Sequence, residues 1–194
     1  MTSAQPRGSA LSVPNILTYS RIAAVPALFA AMTMLDGHSA RWAAFAIFLV
    51  ACLTDWLDGY LARAWSLQSP LGQMLDPIAD KLLVGAALLS LVYDHTISGV
   101  SIWAALIVLT REILVSGLRE FLAALSVKVL VTHLAKWKTA VQMAALAVLI
   151  AGPACGTYAA EATSLGLALL WVAAILTLWT GFDYFRAALR HATM

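Results

Sequence analysis

Apolar runs long enough to cross a bilayer recur along this chain, and few folds accept them. A helix needs roughly 20 residues to span the hydrocarbon core. Stretches of about that length lie near 16–35, 41–63, 76–93, 98–118, 137–151 and 163–187. In lipid, backbone amides must be satisfied inside the structure, so such runs fold as helices. Soluble domains carry about 25% charged residues, whereas these 194 residues are 62% hydrophobic and only 11% charged. The pattern predicts an all-α integral membrane protein with six transmembrane helices. No long polar block interrupts it, so residues 1–194 read as a single membrane domain, with 1–13 as a polar N-terminal tail.

Local signals support this division. Ser12 is placed to cap the first helix, and Pro14 suits a first turn, where its missing N–H is not needed. Pro26 falls mid-span and predicts a kink. The spans are rich in alanine, which lets membrane helices approach closely. Cys52 and Cys155 lack the spacing of a metal or redox motif and read as buried free thiols. The polar start lacks a short apolar core followed by a small-residue cleavage site, and reads as an uncleaved cytoplasmic tail.

Lys and Arg set the orientation. Six spans put both termini on one side, and Arg7, Arg21, Arg63, Lys81, Arg111, Arg119, Lys128, Lys136, Lys138, Arg186 and Arg190 fall at or near it; Arg41 falls opposite. The positive-inside rule makes that side cytoplasmic, together with the second-to-third and fourth-to-fifth loops.

Against this apolar background stand Asp55, Asp58, Asp76 and Asp80. Carboxylates inside membrane helices are costly and mark function by default. Asp55 and Asp58 are three apart, Asp76 and Asp80 four apart, so each pair shares one helix face. A short connection makes the two helices antiparallel neighbours. Four converging carboxylates do not all stay ionised without compensation. Hard divalent cations with oxygen ligands, Mg²⁺ or Mn²⁺, supply it, and two of them would suit gripping a diphosphate. Gly59 and Gly72 leave room for a bulky ligand near the backbone, and Arg63 offers a forked donor to phosphate. Two competing readings are ion pairing of these acids with Arg63 and Lys81, and a proton relay in a transporter.

The stretch fits Asp-x2-Asp-Gly-x2-Ala-Arg-x8-Gly-x3-Asp-x3-Asp without a gap. In this signature, and over nearly its whole length, the chain resembles the CDP-alcohol phosphatidyltransferases. Members move a phosphatidyl group from a CDP-linked lipid to an alcohol and release CMP. The resemblance implies that Asp55, Asp58, Asp76 and Asp80 hold two divalent cations at the diphosphate, with Asp80 as general base for the attacking hydroxyl. It further implies a CDP-diacylglycerol site drawn from Thr18, Arg21, Asp58, Gly59, Ala62, Arg63, Ser69 and Gly72. For Arg21 the competing reading is interfacial anchoring. Family members are commonly homodimers, and the alanine-rich faces permit one here.

Three further segments resemble the bacterial branch of the family whose acceptor is sn-glycerol 3-phosphate. They are Pro14-Asn15-Ile-Leu-Thr18-Tyr-Ser-Arg21, Thr110-Arg111-Glu112 through Arg119-Glu120, and Lys136-Trp-Lys138-Thr139-Ala-Val-Gln142. On this resemblance the product is phosphatidylglycerophosphate, and the address is the bacterial cytoplasmic (inner) membrane. An anionic acceptor also suits Arg111, Arg119, Lys136 and Lys138, since Arg forks onto phosphate and Lys neutralises it. The same four bases would serve equally to bind anionic lipid heads. Glu112 and Glu120 read as partners of neighbouring arginines, Asp183 and Arg186 as a local ion pair, and the seven tryptophans mostly as an interfacial belt. No feature points to nucleic acid. The rivals are a sister enzyme using phosphatidylglycerol or inositol phosphate, and an ion-coupled carrier.

Overall fold

The computed structural model describes residues 13–65, 70–124 and 133–192. They form six helices: α1 (Val13–Met34), α2 (Gly37–Trp65), α3 (Pro70–Tyr93), α4 (Ser101–Ala124), α5 (His133–Ala151) and α6 (Ala159–Ala192). Two 3-10 turns, Gly152–Ala154 and Gly156–Tyr158, join the last two. Ser12, expected as the cap of α1, lies outside the described residues, while Pro14 takes its place in the first turn. Pro26 sits inside α1 without ending it. Only Leu35 and Asp36 separate α1 from α2, and the reversal is completed at Gly37, whose φ of +80° favours a residue without a Cβ.

Most helices overrun the spans expected from hydropathy. α3 begins at Pro70 rather than Asp76, so Asp76 lies one and a half turns inside it. Among the described residues five helices are long and apolar enough to cross a membrane: α1, α2, α4, α5 and α6. The expected sixth span, α3, is not among them. Any bilayer-length window of α3 includes Asp76, Asp80 and Lys81, and that charge removes it from a set defined by apolarity.

The most extensive pairings are α5 with α6, α1 with α2, α1 with α3, and α4 with α6. The core runs through Leu28, Phe48, Leu83, Leu91, Val108, Leu146, Leu149 and Leu170. Alanines fill the close contacts, with Ala44, Ala79, Ala104, Ala145 and Ala173 fully buried. Gly166 of α6 lies so near α5 that a Cβ there would stand 2.8 Å from Leu149 Cγ. Small residues at such crossings let backbones approach, as in other membrane bundles. Large apolar side chains also face outward, among them Leu53, Leu89, Ile113, Ile175 and Trp179. A bundle apolar inside and out fits a lipid surrounding.

Arg41 is the basic residue that the orientation count left alone, and the fold accounts for it. Its Nη2 donates to Asp94 Oδ2 at 2.6 Å and to Thr96 Oγ1 at 2.8 Å. Its Nη1 donates to the carbonyls of Leu149 at 3.3 Å and Ile150 at 3.5 Å. A cation at these last carbonyls of α5 opposes the negative end of the helix dipole. Arg41 therefore ties α2, the α3–α4 connection and α5 together at the end of the bundle away from the acidic stretch. His38, one turn earlier, lies 3.2 Å from the Ala154 carbonyl through Nδ1.

Candidate active site

The centre of the acidic region is an arginine. Arg21 of α1 has no exposed side-chain surface, and its Nη1 lies 3.0 Å from Asp55 Oδ1 and 3.0 Å from Asp80 Oδ1. One turn earlier on the same face of α1, Thr18 Oγ1 donates to Asp76 Oδ1 at 2.5 Å. Thr18 and Arg21 are three apart, and Asp76 and Asp80 four apart, so α1 meets α3 in two successive rungs. Asp55 closes the second rung from α2. Three helices thus converge on a buried guanidinium.

The electrostatics follow. Two carboxylates directed at one point repel each other unless a cation stands between them. Arg21 supplies that charge in a geometry Lys lacks, since a planar guanidinium presents several donors in fixed directions. Its complete burial excludes the interfacial-anchor reading. Asp55 and Asp80 remain 45% and 40% exposed, so both carboxylates stay open to a ligand.

The carboxylates were expected to bind divalent cations, and in chemical type their oxygens are ligands for such ions. Aspartate oxygens from separate helices meet at one cationic point, and hard Mg²⁺ or Mn²⁺ prefers such ligands. Among the described side chains no group of three or more ligating residues closes on one point. The side chain of Asp58, expected beside Asp55 on α2, falls outside that set, as do those of Gly59, Ala62 and Arg63. Ser69 lies outside the described residues altogether, while Gly72 is buried in the first turn of α3. Lys81, weighed as an ion-pair partner for the acids, donates to the Pro77 carbonyl at 2.6 Å.

A cavity of about 280 Å³ opens beside Asp55 and Asp80, and α4 and α5 complete its walls. This is near the lower end of the usual ligand-pocket range of about 300–1,000 Å³, so it suits a small polar head. Arg111, Arg119 and Lys138 line it, as three of the four bases expected for an acceptor phosphate. The side chain of the fourth, Lys136, lies outside the described set. The structure therefore brings carboxylates and bases from four helices to one cavity.

Two of the bases are braced. Arg111 Nε donates to Thr177 O at 3.1 Å and its Nη2 to Thr180 Oγ1 at 2.9 Å, both on α6. Gly181 permits this approach, because a Cβ there would stand 3.3 Å from Arg111 Cγ. Lys138 is 4% exposed and pairs with Glu112. Glu112 also lies 3.5 Å from Arg111 Nη1. Sequence reasoning paired Glu112 with arginine alone and gave Gln142, Thr177 and Thr180 no role. Only Gln142 carried a legible signal, since it stands four residues beyond Lys138 on the same helix face.

Comparison with known proteins meets this geometry. The family model described as CDP-alcohol phosphatidyltransferase matches residues 11–179. The chain belongs to the CDP-alcohol phosphatidyltransferase family. Within that family it is 41% identical to a protein of Cereibacter sphaeroides, over 92% of this chain and 96% of the relative. It is 42% identical to one from Rickettsia bellii, over 93% of this chain and 97% of the relative. Both bear the name CDP-diacylglycerol–glycerol-3-phosphate 3-phosphatidyltransferase. A rice relative, named cardiolipin synthase (CMP-forming), is 42% identical over 91% of this chain but only 57% of its own length.

Proposed function

We propose that the protein transfers the phosphatidyl group of CDP-diacylglycerol to sn-glycerol 3-phosphate, forming phosphatidylglycerophosphate and CMP. The observation that carries this reading is the shared cavity, lined by Asp55, Asp80 and Lys81 from α2 and α3 and by Arg111, Arg119 and Lys138, with Glu112 and Glu120, from α4 and α5. The names of the bacterial relatives, matched along nearly their whole length, support it. An alanine-lined groove between α1 and α2, including Ala23, Ala27, Ala46 and Ala51, reaches Arg21 and offers an apolar path for an acyl chain.

In the proposed reaction Arg111, Arg119 and Lys138 take the acceptor phosphate, and the acceptor's primary hydroxyl faces Asp80. Asp80 accepts the hydroxyl proton as the oxygen bonds to the lipid-bearing phosphorus. The bond from that phosphorus to the bridging diphosphate oxygen breaks, and CMP leaves with the electron pair. Arg21 holds Asp55 and Asp80 in position and offsets their charge. Two divalent cations held by Asp55, Asp58, Asp76 and Asp80 would neutralise the diphosphate and the charge gathering on the leaving group. Thr18 orients Asp76 within that set. Gly59, Ala62, Arg63, Ser69 and Gly72 complete the nucleotide side.

The same reading makes α3 a sixth crossing whose charged start lies at the cytoplasmic boundary, with both termini and the cavity mouth on that side. The uneven distribution of Lys and Arg supports this orientation. The protein is then a single multi-pass domain of the bacterial cytoplasmic membrane, with a homodimer as its assembly.

The rice likeness favours one second reading, in which the acceptor is phosphatidylglycerol. A panel of acceptors decides. Purified protein in detergent, supplied with CDP-diacylglycerol and Mg²⁺ or Mn²⁺, should release CMP with sn-glycerol 3-phosphate, but not with phosphatidylglycerol or inositol phosphate. CMP release only with phosphatidylglycerol would move the chain to the second reading.

A further inference from the structure

We infer that Gln142 reads the secondary hydroxyl of the acceptor and so selects glycerol phosphate over phosphorylated alcohols lacking that group. The inference rests on the acceptor assigned above. Gln142 lies on α5 with 2% of its surface exposed, and it lines the same cavity as Asp55, Asp80, Arg111, Arg119 and Lys138. Its Oε1 is buried and has no hydrogen-bond partner among the described residues. Buried polar atoms are normally paired, and an orphan at a binding surface points to a missing ligand group.

The chemistry of that group follows from the atom. A carbonyl oxygen accepts, so the ligand must donate. The donor's diphosphate and the acceptor's phosphate, once ionised, offer only acceptors. Of the two acceptor hydroxyls, the primary one gives its proton to Asp80. Among the acceptor's own groups the secondary hydroxyl is the remaining donor. Gln142 also stands one turn from Lys138 on the same helix face, so a molecule anchored by its phosphate at Lys138 carries its middle carbon towards the amide. A neutral carbonyl suits this position because another carboxylate would repel the incoming phosphate.

A site built to bond a hydroxyl discriminates against the analogue lacking it, because the protein's own polar atom is then left buried and unpaired. A single neutral hydrogen bond corresponds to about tenfold in relative kcat/KM.

The test compares sn-glycerol 3-phosphate with 3-hydroxypropyl phosphate, which keeps the phosphate and the primary hydroxyl but lacks the secondary one. CMP release by the full-length protein in detergent is followed with each, for the native chain and for Gln142→Leu and Gln142→Met. The native protein should favour glycerol phosphate by about tenfold or more in kcat/KM, and either variant should bring the two substrates within about threefold of each other. Equal use of both by the native protein would overturn the inference, and so would a variant that slows but keeps its preference. The native ratio needs no variant, so a misfolded substitution does not shield the inference. No CMP release by the native protein with either acceptor would overturn the assigned reaction itself, whereas release without preference would overturn only the role of Gln142.

Discussion

Arg21 Nη1 lies 3.0 Å from Asp80 Oδ1 although the two residues stand 59 positions apart. The same nitrogen reaches Asp55, so this arginine is the structural counter-ion of the acidic centre. Removing a partner that leaves charged groups unsatisfied costs about 1–3 kcal/mol. The half-open carboxylates keep the effect towards the lower part of that range. Arg21→Ala should lower the melting temperature in detergent and reduce CMP release at least 100-fold, while Arg21→Lys keeps more of both. Full activity in Arg21→Ala would contradict the assignment.

Thr18 Oγ1 donates to Asp76 Oδ1 across α1 and α3. Groups that orient a metal ligand typically change metal affinity by about 10–100-fold when lost. Thr18→Val should raise the Mg²⁺ or Mn²⁺ concentration for half-maximal rate about tenfold, and Thr18→Ser should restore it. A metal titration at saturating donor reads this out. A rise in donor KM with an unchanged metal requirement would assign Thr18 to the nucleotide instead.

Lys138 faces the cavity with Glu112 as its partner. Lys138→Gln should raise the KM for glycerol phosphate at least tenfold, a loss of about 1.4 kcal/mol, with donor KM within about twofold. Steady-state kinetics with each substrate varied in turn would show it. An effect confined to the donor would place the acceptor elsewhere.

Arg41 and Asp94 form a clamp at the opposite end of the bundle. Both side chains are mostly buried, so Asp94→Asn and Arg41→Ala should each destabilise by about 1–3 kcal/mol. A fall in thermal midpoint with both KM values preserved is the expected pattern. Changed substrate affinity without lost stability would overturn the structural role.

Hydropathy reveals where a chain meets lipid, not where its helices end. That is why the polar first turns of α3 and α5 were missing from the expected spans. The acids were conspicuous because charge is scarce in such a chain, and their positions on α2 and α3 followed from helical spacing. Their counter-ion was not legible. No local periodicity connects Arg21 with Asp55 and Asp80, and only the packing of α1 against both neighbouring helices brings them together. Glu112 and Lys138 met for the same reason across α4 and α5. Arg111 was recognised as a base, but its bracing by Thr177 and Thr180 depends on α6 crossing α4 at Gly181.

The central claim is a metal-assisted phosphatidyl transfer in which Asp80 takes the acceptor's proton. Its most direct test is transfer of labelled sn-glycerol 3-phosphate into organic-extractable lipid by purified protein with CDP-diacylglycerol. Incorporation should match CMP release one for one, stop on chelation, and fall by at least about 100-fold in a folded Asp80→Asn variant. Incorporation that survives in Asp80→Asn would contradict the assigned base. CMP release without labelled lipid would contradict the transfer itself.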